Sequence, residues 1–153
     1  MRKKFDKDLH NKYDTLARDK AKKVFESLTP YSIVESEKKT AVDFMIYKDG
    51  VHIGYLEVEV KKTWDGPQFK YADVQFPERK WKYCKLDKPT IFMMFNSDLS
   101  NYLNVTGEDL LSSKLEMVRN KYIKFGEMFF KVPVDKITFD NVQVLLDKLG
   151  ENK

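Results

Sequence analysis

Four residues in the middle of the chain have the types and spacing to do chemistry. Asp43 lies in Ala41-Val42-Asp43-Phe44, and Glu57, Glu59 and Lys61 alternate with Leu56, Val58 and Val60. Side chains two apart on a strand share a face, so Glu57, Glu59 and Lys61 project together if this segment is extended. Carboxylate oxygens are ligands for hard divalent cations, and Mg2+ takes one or two of them together with water and substrate oxygens. Asp43 and Glu59 supply such carboxylates, and the backbone carbonyl of Val60 could complete the shell. The ammonium of Lys61 would then orient an attacking water or stabilise charge developing on a phosphate. Mg2+ is therefore the expected cofactor, with Mn2+ as its substitute, and phosphodiester hydrolysis the expected chemistry. Glu57 is a third ligand, a charge partner of Lys61 or a solvated side chain. Because Glu-x-Lys is common on solvated strand faces, the surrounding elements must carry much of the argument.

Those elements read as a helix, a three-stranded β-meander, a second helix and a buried strand. From Leu9 to Leu28, apolar residues including Leu16, Ala17, Ala21, Val24 and Phe25 recur at helical intervals, and Thr29-Pro30 ends the run. A short strand over Tyr31 to Val34 follows. Val42, Phe44 and Ile46, then Leu56, Val58 and Val60, alternate with polar residues across Lys48-Asp49-Gly50, which predicts a β-hairpin. A two-residue loop of Asp49-Gly50 would pair Phe44 with Tyr55 and mix carboxylates into the apolar face. A three-residue loop from Lys48 to Gly50 pairs Asp43 with Tyr55 and keeps the apolar set together, so this register is the expected one. Lys62 to Asp73 reads as a loop. Pro77 opens a second helix through Leu86, and Thr90 to Phe95 is an apolar run suited to a strand covered on both faces. Beyond it, a loop reaches Gly107, followed by a short helix over Glu108 to Ser112, strands over Leu115 to Tyr122 and Glu127 to Val134, and a helix from Asn141 to Leu149.

The chain has 153 residues, 42% of them hydrophobic and 34% charged. This fits a single soluble domain over residues 1–153, with a core over about 9–95 and a C-terminal addition over about 107–150. No apolar run approaches the roughly 20 residues that cross a bilayer, and the N-terminus lacks the apolar stretch of a secretion signal. An intracellular protein, cytoplasmic or nucleoid-associated and without a membrane partner, is expected. Cys84 is the lone cysteine, which excludes an internal disulfide and a zinc site built from several thiolates. A net charge of +4 is modest, but basic residues concentrate in Arg2 to Lys23 and Arg79 to Lys88. Each segment reads as a phosphate track or as a solvated helix face.

The pattern of Asp43 on one strand and Glu59-Val60-Lys61 on the next resembles the PD-(D/E)XK nuclease superfamily. Val42 stands where that motif has its proline. The order helix, meander, helix, strand over residues 9 to 95 is similar to the common core of the superfamily. The resemblance implies an α/β (α+β) fold with a restriction-endonuclease-like core and a C-terminal β/α addition. It implies catalysis by Asp43, Glu59 and Lys61. It also suggests Asp14 on the first helix as a further metal-associated acid, and Gln75, Arg79 and Lys80 as groups that grip a nucleic-acid backbone. Lys62 and Trp64, just beyond the motif, are further candidates for nucleic-acid contact. Trp64, Phe69, Tyr71 and Phe76 either stack on bases or, as the favoured reading has it, pack against the sheet.

The expected activity is that of a Mg2+-dependent deoxyribonuclease, an endonuclease with DNA as its partner and RNA left open. A homodimer is expected if it makes paired cuts at two-fold sites. Two competing functions are a catalytically inactive nucleic-acid-binding module of the same fold and a small α/β protein-interaction domain.

Overall fold

Ala17, Ala21 and Phe25, spaced by four, form one stripe along α1 (Lys7–Glu26), and all three are buried against a large sheet. The computed structural model describes residues 7–36, 42–120 and 123–151. Arg2 to Asp6, Ala41, Lys121 and Tyr122, which fall in the segments read above, lie outside the described residues. After α1 come β1 (Tyr31–Glu35), β2 (Phe44–Lys48) and β3 (Val51–Val60), an antiparallel meander. Then follow β4 (Asp73–Pro77), a 3-10 helix (Glu78–Lys85), β5 (Thr90–Phe95), β6 (Tyr102–Thr106) and α2 (Gly107–Leu111). The chain continues through β7 (Lys114–Asn120), β8 (Ile123–Pro133), β9 (Thr138–Phe139) and α3 (Gln143–Glu151).

The architecture is mixed α+β. Six strands form one sheet in the order β1-β2-β3-β5-β6-β9, and β4-β8-β7 form a second. β3 and β5 run parallel, which requires a long crossover, and residues 61 to 89 provide it. Each face of the large sheet buries its own apolar layer. On one, Phe44, Ile46, Leu56, Ile91 and Met93 pack with the α1 stripe and with Val142, Leu145 and Leu146 around α3. On the other, Phe92, Met94, Leu103 and Val105 meet Val74, Phe76, Phe130 and Val132 of the second sheet, with Leu110 of α2. β5 is therefore buried on both faces, as its unbroken apolar run requires.

The hairpin takes a different loop from the expected one. Lys48 pairs with Val51, so Asp49-Gly50 is a two-residue turn, and both residues have positive φ (50° and 79°). That is the type I′ geometry the Asp-Gly pair favours. The mixing of faces this turn would cause is undone two residues later. The register shifts between Ile46 and Tyr47, so that β3 carries an extra residue at Ile53, and Phe44 then pairs with Leu56. Val42, Phe44, Ile46, Leu56 and Val58 are all buried, as expected, but Tyr55 pairs with Met45 and not with Asp43. Gly54 sits at the bulge because the chain crosses it closely: a Cβ there would lie 2.7 Å from the Pro89 carbonyl oxygen.

The second helix is corrected as well. Glu78–Lys85 is a 3-10 helix, and none of its residues is buried; Trp81 is half exposed. An α-helix needs an apolar stripe to hold it down, and here only Tyr83 and Cys84, both partly buried, pack against the core. Leu16 is likewise exposed on α1. β6 lies where a loop was expected, and β4 and β9 fall mainly in stretches to which the sequence assigned no element. Among the described residues no helix is long and apolar enough to cross a membrane.

Candidate functional site

Two backbone-to-carboxylate hydrogen bonds join the start of β2 to β3. The Val58 N–H donates to Asp43 Oδ2 at 2.9 Å, and the Asp43 N–H donates to Glu57 Oε1 at 3.2 Å. Glu57 and Glu59 are in register with Phe92 and Met94 of β5, so they share the sheet face that β4 and the 3-10 helix cover. Glu57 is buried, with only 8% of its side chain exposed, and Glu59 retains 19%. From the 3-10 helix, Lys80 places its ammonium between them, 3.0 Å from Glu57 Oε2 and 2.8 Å from Glu59 Oε1.

Burial pushes the Glu57 carboxyl up to about 8, and the neighbouring Asp43 carboxylate adds to the shift while Lys80 opposes it. Burial alone would pull Lys80 down. Glu59 and Glu57 beside it outweigh that cost and hold its ammonium above the ordinary lysine value. From the other side of the strand pair, Arg18 of α1 brings Nε to 3.9 Å from Asp43 Oδ1 and Nη2 to 3.5 Å from Glu35. Its guanidinium lies 5.8 Å from the centre of the Phe44 ring.

Asp43, Glu57, Glu59 and Lys80 face a cleft of about 330 Å3, which brings together eight of the eleven residues singled out in the sequence. Asp14, Asp43, Glu57, Glu59 and Val60 line it, with Lys62, Arg79 and Lys80 as its cations. Lys62 also stacks its ammonium 4.9 Å from the Tyr13 ring centre, and Arg79 is 67% exposed and paired with Glu127 at 3.0 Å. Lys61, Gln75 and Trp64 are not among the lining residues. Lys61 donates its backbone N–H to Phe95, and its ammonium lies 4.7 Å from the Tyr71 ring centre. Gln75 shares with Pro77 the face of β4 turned away from the core, paired with Lys131. Trp64 is 1% exposed and packs edge-on to Phe69, so it is core and offers no surface to a base.

Lys80 thus stands between the acidic pair, because the crossover folds it back over β3. Glu57 is its partner, not that of Lys61. Arg18 went unremarked in the sequence, although it lies four residues after Asp14 and so on the same face of α1. No local signal marks the Lys80 contact, which spans 23 positions along the chain.

The donor set is all oxygen, which is the chemistry of Mg2+ or Mn2+ rather than of a soft metal. Among the described residues, no group of three or more histidine, cysteine, aspartate and glutamate side chains converges closely enough to hold a metal ion. Lys80 stands between Glu57 and Glu59 instead, and Arg18 stands beside Asp43.

No family model matches the chain, and no curated protein matches it. Among solved structures, it is similar to D212, a nuclease from a fusselovirus, at 11% identity. The match covers 99% of this chain and 98% of that one, with a TM-score of 0.51. The likeness is one of fold: this chain has an α+β fold of the kind that carries a viral nuclease.

Proposed function

We propose that the chain is a metal-dependent nuclease of the PD-(D/E)XK type, an endonuclease hydrolysing phosphodiester bonds in DNA. The observation that carries this reading is the single cleft in which Asp43 and Glu59 stand together, ringed by Lys62, Arg79 and Lys80. Acidic groups surrounded by cations suit a polyanionic substrate and a hard cation at the same place. The nuclease fold of the structural neighbour supports the same reading. Asp43, Glu59 and the Val60 carbonyl would hold Mg2+, which when bound supplies an activated water and neutralises phosphate charge. Arg79 and Lys62, exposed at the rim, hold the phosphate backbone and set its register over the carboxylates. Lys61 is the lysine of the strand motif and acts on the charge developing at the phosphate.

Incubation with labelled linear, nicked, flapped, single-stranded and four-way-junction DNA, in Mg2+ and in EDTA, tests the proposal. Cleavage that requires Mg2+ and is lost in Glu59→Ala supports it. One feature favours the second reading, a nucleic-acid-binding module without turnover: the Lys61 ammonium lies on Tyr71 and outside the cleft lining. Salt-sensitive DNA binding with no cleavage of any substrate would make that reading the better one.

A further inference from the structure

We infer that the Lys80 ammonium is a built-in counter-cation that must leave Glu57 and Glu59 before a divalent cation can bind, so that Lys80 sets the metal affinity of the cleft. The inference rests on the proposed metal-dependent reading. Glu57 and Glu59 are two apart on β3, point to one face and are both largely withdrawn from water. The Glu59 carboxylate so placed needs a cation, and the fold supplies one from its own chain, 2.8 Å from Glu59 Oε1 and 3.0 Å from Glu57 Oε2. The Lys80 side chain is itself only 15% exposed, so water screens this contact weakly.

A Mg2+ ion bound to Glu59 would lie about 2.1 Å from a carboxylate oxygen. The ammonium now sits 2.8 Å from Glu59 Oε1, so the two cations would compete for the same carboxylate. Their repulsion at such range is strong even at the effective dielectric of a protein surface. The means of departure is also present. Lys80 rides on a 3-10 helix with no buried residue, and its four-carbon stem lets the ammonium swing clear without unfolding the segment. Its neighbour Arg79 is turned to Glu127 and does not share the carboxylates.

The test is calorimetric Mg2+ titration of the whole chain, with thermal melts in EDTA and in Mg2+, on wild type, Lys80→Gln and Lys80→Met. Gln keeps a hydrogen-bond donor for the two carboxylates and guards against a variant that fails to fold. Lys114→Gln makes the same charge change on β7, away from the cleft. Both Lys80 variants should bind Mg2+ about tenfold tighter or more, melt lower than wild type in EDTA and recover more on adding Mg2+. Lys114→Gln should match wild type. Wild type that binds Mg2+ with folded Lys80 variants that bind it no tighter overturns the counter-cation role and leaves the metal site standing. No Mg2+ binding by wild type or by either Lys80 variant overturns the metal-dependent reading, and this inference with it.

Discussion

Asp43 Oδ2 lies 2.9 Å from the backbone nitrogen of Val58, so the acid proposed to hold a metal also laces β2 to β3. That bond fixes where the meander opens toward the cleft. An alanine would leave the Val58 N–H without its acceptor, at a cost of about 1–3 kcal/mol. Asn keeps an oxygen acceptor and drops the charge. Asp43→Ala should therefore lower the urea midpoint, whereas Asp43→Asn should stay close to wild type, and both should lose Mg2+-dependent cleavage. Equal stability of the two variants would show that the bond contributes nothing to the fold.

The faces of the hairpin were legible in the sequence, but its register was not. Alternation placed Val42, Phe44, Leu56 and Val58 in the core, and all are buried. The loop was misjudged because the Asp49-Gly50 turn and the face pattern conflict, and a bulge at Ile53, which alternation alone does not announce, reconciles them. β6 was hidden by its own composition: Asn104 sits fully buried between Leu103 and Val105, where a polar residue argues against a core strand. That Asp43, Glu57 and Glu59 lie together at one cleft was legible because strand geometry is local. The contact of Lys80 with Glu57 and Glu59 was not legible, because it depends on how a long crossover returns.

Glu57 gives the site a pH signature. Its folded value, near 8, is raised from the ordinary 4.5, chiefly by burial. Its protonated form therefore favours the fold: the contribution is fully present below about pH 4.5, declines as the unfolded chain ionises, and is lost as pH rises through about 8. Glu57→Gln has no such titration. The stability of Glu57→Gln relative to wild type should climb between these two values and level off above, as read from urea midpoints at one-unit intervals. A difference that stays flat with pH contradicts the raised value.

Gly54 should tolerate no side chain. A Cβ would meet the Pro89 carbonyl oxygen at 2.7 Å and Leu149 Cδ1 at 3.3 Å, and the first of these is backbone, which cannot step aside cheaply. The same carbonyl accepts the Tyr55 N–H at 2.8 Å. Gly54→Ala should cost about 1–3 kcal/mol by overpacking. Chemical denaturation measures it, and an unchanged midpoint would mean that the bulge shifts freely.

Arg79 should act on DNA without acting on the fold. Its pair with Glu127 is exposed, and such pairs contribute roughly 0–1 kcal/mol. If its guanidinium grips a phosphate, Arg79→Ala weakens binding of unrelated DNA sequences about equally and reduces the salt dependence by about one unit of slope. Filter binding across a salt series reads both. Unchanged affinity and slope would place the DNA path elsewhere.

Lys61 is where the strand motif and the geometry pull apart. The motif puts its ammonium to work beside Glu59, but the side chain rests on Tyr71, 4.7 Å from the ring centre, while Lys80 holds the carboxylates. A cation–π contact at an exposed ring is weak, about 0.5–1 kcal/mol, so substrate phosphate could draw Lys61 away from it. Lys61→Ala should then leave Mg2+ binding and stability close to wild type and lower the single-turnover cleavage rate about 10²- to 10³-fold, the usual loss for one preorganised charge at a reacting phosphate. Tyr71→Ala, which frees the ammonium without removing it, should cleave at the wild-type rate or faster. If Lys61→Ala cuts as fast as wild type, Glu59-Val60-Lys61 is a coincidence of alternating strand charge, and Lys62 and Lys80 are the lysines of the cleft lining left to serve the reaction.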